Sequence, residues 1–237
     1  MGAMLSSLFV IVFFAGLVVA AEVGSGEGGG SGGESGENPV KKELPEPDRD
    51  GTFALEKALD ERRSRRSFSG EPLSLSQAGQ LLWAAQGISD ERRGYRTAPS
   101  AGATFPLDVY LVAGDVDELA PAIYKYEPSE HAVTPVVPGD QRSDLRTAAL
   151  GQDSVGAAPA AIVITGTYAR TTQRYGERGE MYTHMEAGHA GQNIYLQATA
   201  LGLGTVAIGA FVDDSVSSLL RLSGDEKPLY IYPVGHQ

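Results

Sequence analysis

Apolar residues recur along the chain with two different spacings, which predict a mixture of helices and strands. Helical spacing predicts helices at 52–62, 140–150, 181–201 and 214–222. Ser74 and Gln77 have the spacing of a capping box and predict the start of another helix, at 75–86, which Gly87 ends. Apolar and β-branched runs predict strands at 108–113, 123–126, 132–137, 160–167, 205–209 and 229–234.

The order of these elements indicates the fold class. Helices and strands interleave irregularly, and at least two pairs of strands are close enough in sequence to form hairpins. Such an order is typical of an α+β domain with a mixed sheet, rather than of regular βαβ winding. The continuous apolar run at 160–167 predicts the central strand of that sheet.

The first fifty residues differ from the rest of the chain. Residues 3–21 are uncharged and apolar over a length that fits a signal peptide or an N-terminal membrane anchor, although no Lys or Arg precedes them. Gly, Ser and Glu then dominate, which predicts a flexible linker. The sequence thus predicts a leader or anchor at 1–21, a disordered linker at 22–50 and a folded domain at 51–237. We expect the domain to be exported or membrane-anchored, with an anchored domain on the cytoplasmic face as the alternative.

Composition argues against several kinds of partner and site. The chain has 19 Lys and Arg against 30 Asp and Glu, a net charge of −11, and no cysteine. The acidic balance argues against a nucleic-acid partner, because phosphate backbones require a basic surface. The absence of cysteine excludes disulfides, thiolate metal sites and thiol nucleophiles. We predict no metal, because His184 and His189, which flank Glu186, are five residues apart and point about 140° away from each other on a helix.

Two segments of the domain have the chemistry of a binding site. Residues 62–66 (RRSRR) combine guanidinium and hydroxyl groups, which suit a phosphate, although a solvated charge run is the alternative. Residues 97–103 (TAPSAGA) form a loop of small residues with few side chains to block a flat ligand. The loop narrowly misses the G-x-S-x-G nucleophile elbow, and a strand rather than a helix follows it, which argues against a hydrolase that uses Ser100.

Glycines mark two further features. Residues 202–207 match a dinucleotide fingerprint, but they follow a helix and open a strand, which is the reverse of the required order. The small residues that continue this segment, at 207–211, could present backbone N–H groups to a heteroaromatic ring. Gly188 and Gly191 lie inside the long helix, where each costs about 1 kcal/mol relative to Ala, so we expect either a close neighbour or an imperfect helix.

Six segments, taken in order from about residue 52 to residue 235, resemble one known family. They are RRSRRSF (62–68), PLSLSQAGQLLWAAQGI (72–88), RTAPSAGATFPLDVYLV (96–112), AALGQDSVGAAPAAIVIT (148–165), RYGERGEMYTHMEAGHAGQNIYLQATALGLGTVAIGAF (174–211) and LYIYPVG (229–235). Together they resemble the SagB-type dehydrogenase branch of the nitroreductase superfamily, which includes the thiazoline and oxazoline oxidases. The resemblance implies an α+β nitroreductase-like fold, with a mixed, mainly antiparallel sheet and helices on both faces. It also implies an intertwined homodimer with one FMN at each subunit interface.

The resemblance also implies roles for individual residues. Those that would hold the FMN phosphate and ribityl chain are Arg62, Arg63, Ser64 and Arg66. Those that would lie against the flavin, from the partner subunit, are Pro99, Ser100, Ala101 and Gly102. Those that would meet the reactive edge of the ring with backbone groups are Ala207, Ile208 and Gly209. Asn193 would lie near the cofactor on the long helix.

The sequence departs from the azoline oxidases at one position of direct chemical importance. In these enzymes a Lys-Tyr pair is implicated in proton abstraction. The aligned pair here is Arg174-Tyr175. Arginine is effectively never deprotonated, so Tyr175 would have to act alone as the base, with Arg174 and Arg178 nearby. The chain also ends at His236-Gln237, without the basic residue that the tail of classical nitroreductases supplies to the phosphate.

We therefore expect a homodimeric FMN-dependent oxidoreductase that transfers hydride to or from flavin N5, on a small-molecule or peptide-derived substrate. One alternative is an NAD(P)H-dependent enzyme of the nitroreductase or quinone reductase type. A second is a non-catalytic flavin-binding module, which the replacement of Lys by Arg174 favours.

Overall fold

The computed structural model describes residues 39–237. Its helices are α1 (Leu55–Glu61), α2 (Leu75–Gln86), α3 (Arg142–Ala148), α4 (Asp153–Ala157), α5 (Ala169–Tyr175), α6 (Arg178–Ala200) and α7 (Asp213–Leu219). Its strands are β1 (Lys42–Glu43), β2 (Ile88–Asp90), β3 (Tyr95–Arg96), β4 (Leu107–Ala113), β5 (Ala122–Glu127), β6 (Ala132–Pro138), β7 (Ala160–Thr167), β8 (Leu203–Thr205) and β9 (Glu226–His236).

Seven of these strands form one sheet in the order β1-β6-β5-β4-β7-β9-β8, while β2 and β3 form a separate hairpin. Every pairing between the described strands is antiparallel. The predicted central strand, 160–167, is β7, which pairs with β4 on one side and β9 on the other. The predicted α+β fold with a mainly antiparallel sheet is confirmed.

The sheet is covered by helices on both faces. Adjacent residues of β4 and β7 point to opposite sides, so that Leu111 and Ile162 belong to one core and Val112 and Val163 to the other. The first core packs under α2 and α6, and the second packs under α3, α4 and α7. Both faces of these strands are therefore apolar, which is why β7 appears in the sequence as a continuous apolar run.

Helix α2 shows how local sequence sets the bounds of an element. The Ser74 hydroxyl accepts a hydrogen bond from Gln77 N, and the Gln77 side chain accepts one from Ser74 N. This capping box starts the helix, and Gly87 follows its last residue, as predicted. A Cβ at Gly87 would lie 2.1 Å from the Trp83 ring, so the turn that ends α2 has no room for a side chain.

Other predicted elements differ from the structure. The predicted strand at 205–209 is divided: β8 ends at Thr205, and Ile208 forms an isolated bridge to Ile231. The chain before the long helix contains α5, which was not predicted, and α6 begins at Arg178, before the predicted start at residue 181. The interior glycine Gly191 has the expected close neighbour, because a Cβ there would lie 1.9 Å from the Tyr232 hydroxyl.

The folded region begins before the predicted boundary at residue 51. Within the segment predicted as a linker, β1 pairs with β6, Leu44 is buried in the first core, and His131 Nε2 lies 2.9 Å from the carbonyl oxygen of Pro45. Residues 1–21 and most of the predicted linker lie outside the described residues.

The expected export or membrane attachment is contradicted. Among residues 39–237, no helix is both long enough and apolar enough to cross a membrane. The apolar run at 3–21, on which the expectation was based, lies outside the described residues, so we withdraw the assignment.

Candidate functional site

The arginine-rich segment lies beside the end of the sheet. The segment follows α1 in an extended conformation. Ser64 forms a parallel β-bridge with Thr205, and Arg65 N donates a hydrogen bond to Thr205 O at 2.8 Å. Because an extended chain alternates its side chains, Arg62, Ser64 and Arg66 share one side. Arg63 and Arg65 lie on the other side, where they line a cavity of about 410 Å³ together with Gln237.

Tyr195 connects this segment to the loop after β8. Its hydroxyl lies 3.0 Å from Ser64 Oγ and accepts a hydrogen bond of 2.8 Å from the backbone N–H of Ala207. The Arg62 guanidinium lies 5.0 Å from the centre of the Tyr195 ring, in a cation–π contact. One side chain of α6 therefore holds two predicted parts of the site in a fixed relation.

Acidic side chains lie near part of this segment, because Asp60 and Glu61 line the same cavity as Arg63 and Arg65. No ion pair within residues 39–237 involves Arg62, Arg63, Arg65 or Arg66. Unpaired guanidinium groups next to an exposed serine hydroxyl, in an acidic protein, fit a bound phosphate.

The predicted residues Ala207, Ile208 and Gly209, which follow β8, do not all expose their backbone. The Ile208 N–H and C=O groups pair with Ile231 at 2.8 and 2.9 Å, and Ala207 N–H is bound by Tyr195. Gly209 and Ala210 follow as exposed residues. Of the predicted group Ala207, Ile208 and Gly209, it is therefore Gly209 that the fold leaves open to a ligand.

The loop that contains Pro99, Ser100, Ala101 and Gly102 is strained and held in place. Gly102, Ala103 and Phe105 all have positive φ (59°, 54° and 45°), which is unusual for residues with a side chain. Ser100 Oγ accepts a hydrogen bond from Phe105 N at 2.9 Å, and the Arg96 guanidinium lies 4.8 Å from the Phe105 ring. Pro99, Gly102 and Ala103 form its exposed surface.

The Arg174-Tyr175 pair packs against this loop. Arg174 donates a hydrogen bond of 3.0 Å to Gly102 O, and a Cβ at Gly102 would lie 2.5 Å from the Tyr175 hydroxyl. The Tyr175 ring also makes an edge contact with Tyr182, with the centroids 5.2 Å apart. The missing side chain at Gly102 therefore makes room for the Tyr175 hydroxyl, rather than for a ligand.

Asn193 has a structural task in this chain. Its amide nitrogen donates to Ala84 O at 3.0 Å and to Thr97 O at 3.3 Å, which ties α6 to α2 and to the start of the loop. Asn193 and Thr97 also line a mainly apolar cavity of about 340 Å³ between α1, α2 and α6.

Helix α6 separates the residues of the candidate site into two groups. Glu186 lies behind the Ser100 loop, and Tyr195 lies nine residues further on, beside the arginines; nine residues span about 14 Å of helix. One group comprises the loop and Arg174-Tyr175. The other comprises the arginine segment, Tyr195 and the exposed Gly209.

Comparison with known proteins identifies the family. The model of the nitroreductase family matches residues 59–236, which is most of the chain. The chain belongs to the nitroreductase family. A nitroreductase homologue from Methanocaldococcus jannaschii, MJ1384, is 44% identical over 183 residues, which cover 77% of this chain and 91% of that protein.

Solved structures agree with this assignment. A nitroreductase-like protein from Ralstonia eutropha is similar, with a TM-score of 0.74 and 32% identity, over 83% of this chain and 89% of that one. A chain of the Escherichia coli microcin synthetase McbBCD, solved with truncated pro-MccB17 bound, has a TM-score of 0.65 and 24% identity, over 82% of this chain and 77% of that one. As a nitroreductase family member, the protein is a flavin-dependent oxidoreductase.

Sequence reasoning missed two residues that the structure places beside the predicted site segments. Tyr195 lies in a helix without a local motif, and its contacts with Ser64 and Ala207 depend on long-range folding. Glu186 was considered only as a metal ligand. The hydrolase alternative gains nothing from the structure, because within residues 39–237 no histidine is hydrogen-bonded to Ser100.

Proposed function

We propose that this protein is an FMN-dependent oxidoreductase of the SagB type, which acts as a homodimer with one FMN at each subunit interface. The observation that carries the proposal is the unpaired arginine segment, which Tyr195 connects to the exposed Gly209. The segment provides an anion site beside a position where a ring can approach the backbone.

The chain's own residues divide the binding of FMN into two tasks. Arg62, Ser64 and Arg66 hold the phosphate, because their side chains lie on one side of the extended segment and no acidic residue competes for them in the described part of the chain. Gly209 offers its backbone to the ring. Arg63 lies on the opposite side, so we assign it no contact with the phosphate that Arg62 and Ser64 hold.

A second copy of the chain completes the site. The loop group and the arginine group are separated by about 14 Å along α6, and each presents an exposed surface. The exposed face of α6 has helical spacing and includes two large apolar side chains; its residues are Met181, Met185, Gly188, His189 and Gln192. Gly188 has no described atom within 4 Å of a Cβ position, so its close neighbour would come from the partner.

The reaction is hydride transfer, for which bound FMN supplies the two-electron acceptor. Tyr175, fixed against Gly102, is positioned to hold or move a proton at its hydroxyl oxygen. Arg174 cannot act as a base, and its hydrogen bond to Gly102 O orients the pair instead.

The substrate class we propose is a small molecule or a peptide-derived compound. The similarity to the microcin synthetase chain solved with truncated pro-MccB17 supports a peptide-derived substrate. A second candidate, an NAD(P)H-dependent nitroreductase, is supported by the 44% identity to the archaeal nitroreductase homologue.

The test begins with the visible spectrum of the purified protein during titration with FMN. We expect a yellow protein that binds one FMN per subunit, and loss of binding when Arg62 and Arg66 are both changed to Gln. A matched variant, Arg146→Gln, changes an exposed arginine on α3 and should bind FMN normally. A colourless protein that takes up no FMN would contradict the proposal.

The donor is then identified in the FMN-loaded protein by anaerobic mixing. Rapid bleaching of the flavin by NADH or NADPH supports the nitroreductase candidate, whereas no bleaching by either, with fast reoxidation in air after photoreduction, supports an oxidase that takes hydride from its substrate. A flavin that neither nicotinamide reduces and that air does not reoxidise would indicate a non-catalytic binding module.

A further inference from the structure

Glu186 is a buried carboxylic acid that no part of the proposed reaction uses. It lies in α6, its residue is only 2% exposed, and it points to the side opposite the exposed face of that helix. Its neighbours are the Ser100 hydroxyl, the Gln86 amide and the Arg96 guanidinium. It therefore lies directly behind the strained loop that we place against the flavin.

Two hydrogen-bonding groups, the Ser100 hydroxyl and the Gln86 amide, lie close to the Glu186 carboxyl group but do not satisfy it fully. Neither oxygen of Glu186 makes a well-formed hydrogen bond within the described residues, and the neighbouring Gln86 Nε2 is also buried and unpartnered. Arg96 approaches Glu186, but one of its nitrogens donates to Gln86 Oε1 at 2.9 Å and its guanidinium lies 4.8 Å from the centre of the Phe105 ring. Buried ionisable groups without partners are costly, so a fold that keeps one at a site indicates a task for it.

Proton exchange is the task that fits the surroundings. Burial raises the pKa of Glu186 to about 7, and the Ser100 hydroxyl, Arg96 and Gln86 oppose that rise. One turn away on α6, Tyr182 is half-buried and His189 is exposed. Arg96 is the charged group that faces Glu186 from the elements packed against it.

Ser100 provides a connection from Glu186 to the outer surface of the loop. Its hydroxyl oxygen accepts from Phe105 N, which leaves its proton free to be donated to Glu186. A serine hydroxyl can pass a proton on by receiving one and releasing another, without net change. Ser100 is half-buried, while its neighbour Pro99 is exposed.

We propose that Glu186 stores a proton for the flavin site, a role that rests on the proposed function. Hydride transfer to a bound FMN would add two electrons and one proton to the ring and would leave one negative charge there. The Glu186 carboxylate would then take up one proton from solvent through Ser100, so that the site gains no net charge. When an acceptor takes the two electrons and the proton back from the ring, Glu186 releases its own proton through Ser100 to the acceptor or to solvent.

The decisive measurement is proton uptake by the FMN-loaded protein during anaerobic photoreduction. With the wild type we expect a carboxylic acid band to appear in the reduced-minus-oxidised infrared spectrum, and a midpoint potential that depends more steeply on pH above about pH 7. Both signals should be lost in Glu186→Gln. Glu180→Gln, at an exposed position on the same helix, should behave as the wild type does.

A second variant tests the route and does not depend on the folding of Glu186→Gln. Ser100→Ala keeps the carboxyl group but removes the hydroxyl, so the amount of proton taken up should be unchanged while its rate falls at least about tenfold. Uptake at the wild-type rate in Ser100→Ala would overturn the route through Ser100.

The two proposals fail in different ways. If the protein binds no FMN, the visible spectrum shows this, and both proposals are wrong. If FMN binds and is reduced but the infrared band is absent from the wild type, or persists in Glu186→Gln, only the role of Glu186 is overturned.

Discussion

At the residue scale, the Tyr195 hydroxyl makes contacts with the candidate site that the position of Tyr195 within a helix does not predict. The phenol lies between Ser64 and the backbone N–H of Ala207, and its ring carries the Arg62 guanidinium. The three residues come from two segments that are far apart in sequence. The hydroxyl therefore joins the two segments, in addition to the backbone hydrogen bond from Arg65 to Thr205.

Tyr195→Phe should weaken FMN binding more than it weakens the fold. The variant keeps the ring but leaves the Ala207 N–H without its hydrogen-bond acceptor, at a cost of about 1–3 kcal/mol. If this cost falls on the ordered, FMN-binding arrangement of the site, the affinity for FMN falls roughly tenfold to hundredfold. The measurement is a fluorescence titration with FMN. Tyr95→Phe, at an exposed tyrosine, is the control. Unchanged affinity in Tyr195→Phe would show that the hydroxyl does not organise the site.

Gly102 and Gly94 form a matched pair for testing the Tyr175 contact. Both have positive φ, 59° and 66°, but a Cβ at Gly102 meets the Tyr175 hydroxyl at 2.5 Å, whereas a Cβ at Gly94 meets no described atom within 4 Å. Gly94→Ala should cost about 1 kcal/mol in stability from backbone strain alone. Gly102→Ala should cost more and should lower the rate of substrate oxidation. Equal effects of the two substitutions on stability and rate would rule out the contact as a constraint on Tyr175.

The buried acid makes the stability of the protein depend on pH. The pKa of Glu186 is raised from 4.5 to about 7, so the folded state binds a proton that the unfolded state has already released. The free energy of unfolding should therefore fall by about 3 kcal/mol as the pH rises from about 4.5 to about 7. Urea denaturation at a series of pH values should show this slope in the wild type and a shallower one in Glu186→Gln. Parallel curves for the two proteins would mean that the pKa is not raised.

The sequence allows part of the site to be predicted at this scale. The arginine segment and the small-residue loop were recognisable because their composition is unusual over a few consecutive residues. Tyr195 and Glu186 were not assigned to the site because their roles come from contacts with residues that are distant in sequence. For the same reason, no local pattern indicated that Ile208 pairs with Ile231. This pairing uses the N–H and C=O groups of Ile208, so they are not free to bind a ligand.

At the scale of elements, local signals decided which predictions were accurate. Helix α2 has a capping box and a glycine stop, and β7 is buried on both faces, so the bounds of both were predicted. Helices α4 and α5 are short and have no capping side chain, so packing rather than local sequence sets them. Strand β9 extends to His236 because β8 pairs with its last residues, a long-range contact that no local pattern contains.

Two glycines inside α6, Gly188 and Gly191, differ in whether the described chain explains them. Gly191 is required by the Tyr232 hydroxyl, which belongs to β9 of the same chain. Gly188 faces open space in the protomer, so the described chain gives no reason for it. In the proposed dimer, the partner chain would lie against Gly188 and would explain why this position has no side chain.

At the scale of the whole molecule, Gly188→Arg should separate the proposed dimer and abolish FMN binding together. The arginine would place a long charged side chain between two copies of α6, while the separate protomer has room for it. Light scattering gives the mass, and the visible spectrum gives bound FMN. Ser143→Arg, an exposed change on α3 across the sheet, should alter neither. A dimeric, FMN-loaded Gly188→Arg protein would place the interface elsewhere.

The short strand β1 has a consequence for how the protein can be shortened. Its pairing with Ala132 and Val133, together with the burial of Leu44, covers the edge of β6, which would otherwise be the outermost strand of the sheet. A protein that began at Gly51, where composition alone places the domain boundary, would present open backbone donors and acceptors along β6. An exposed edge strand of this kind can pair with strands of other molecules, so the shortened protein should aggregate.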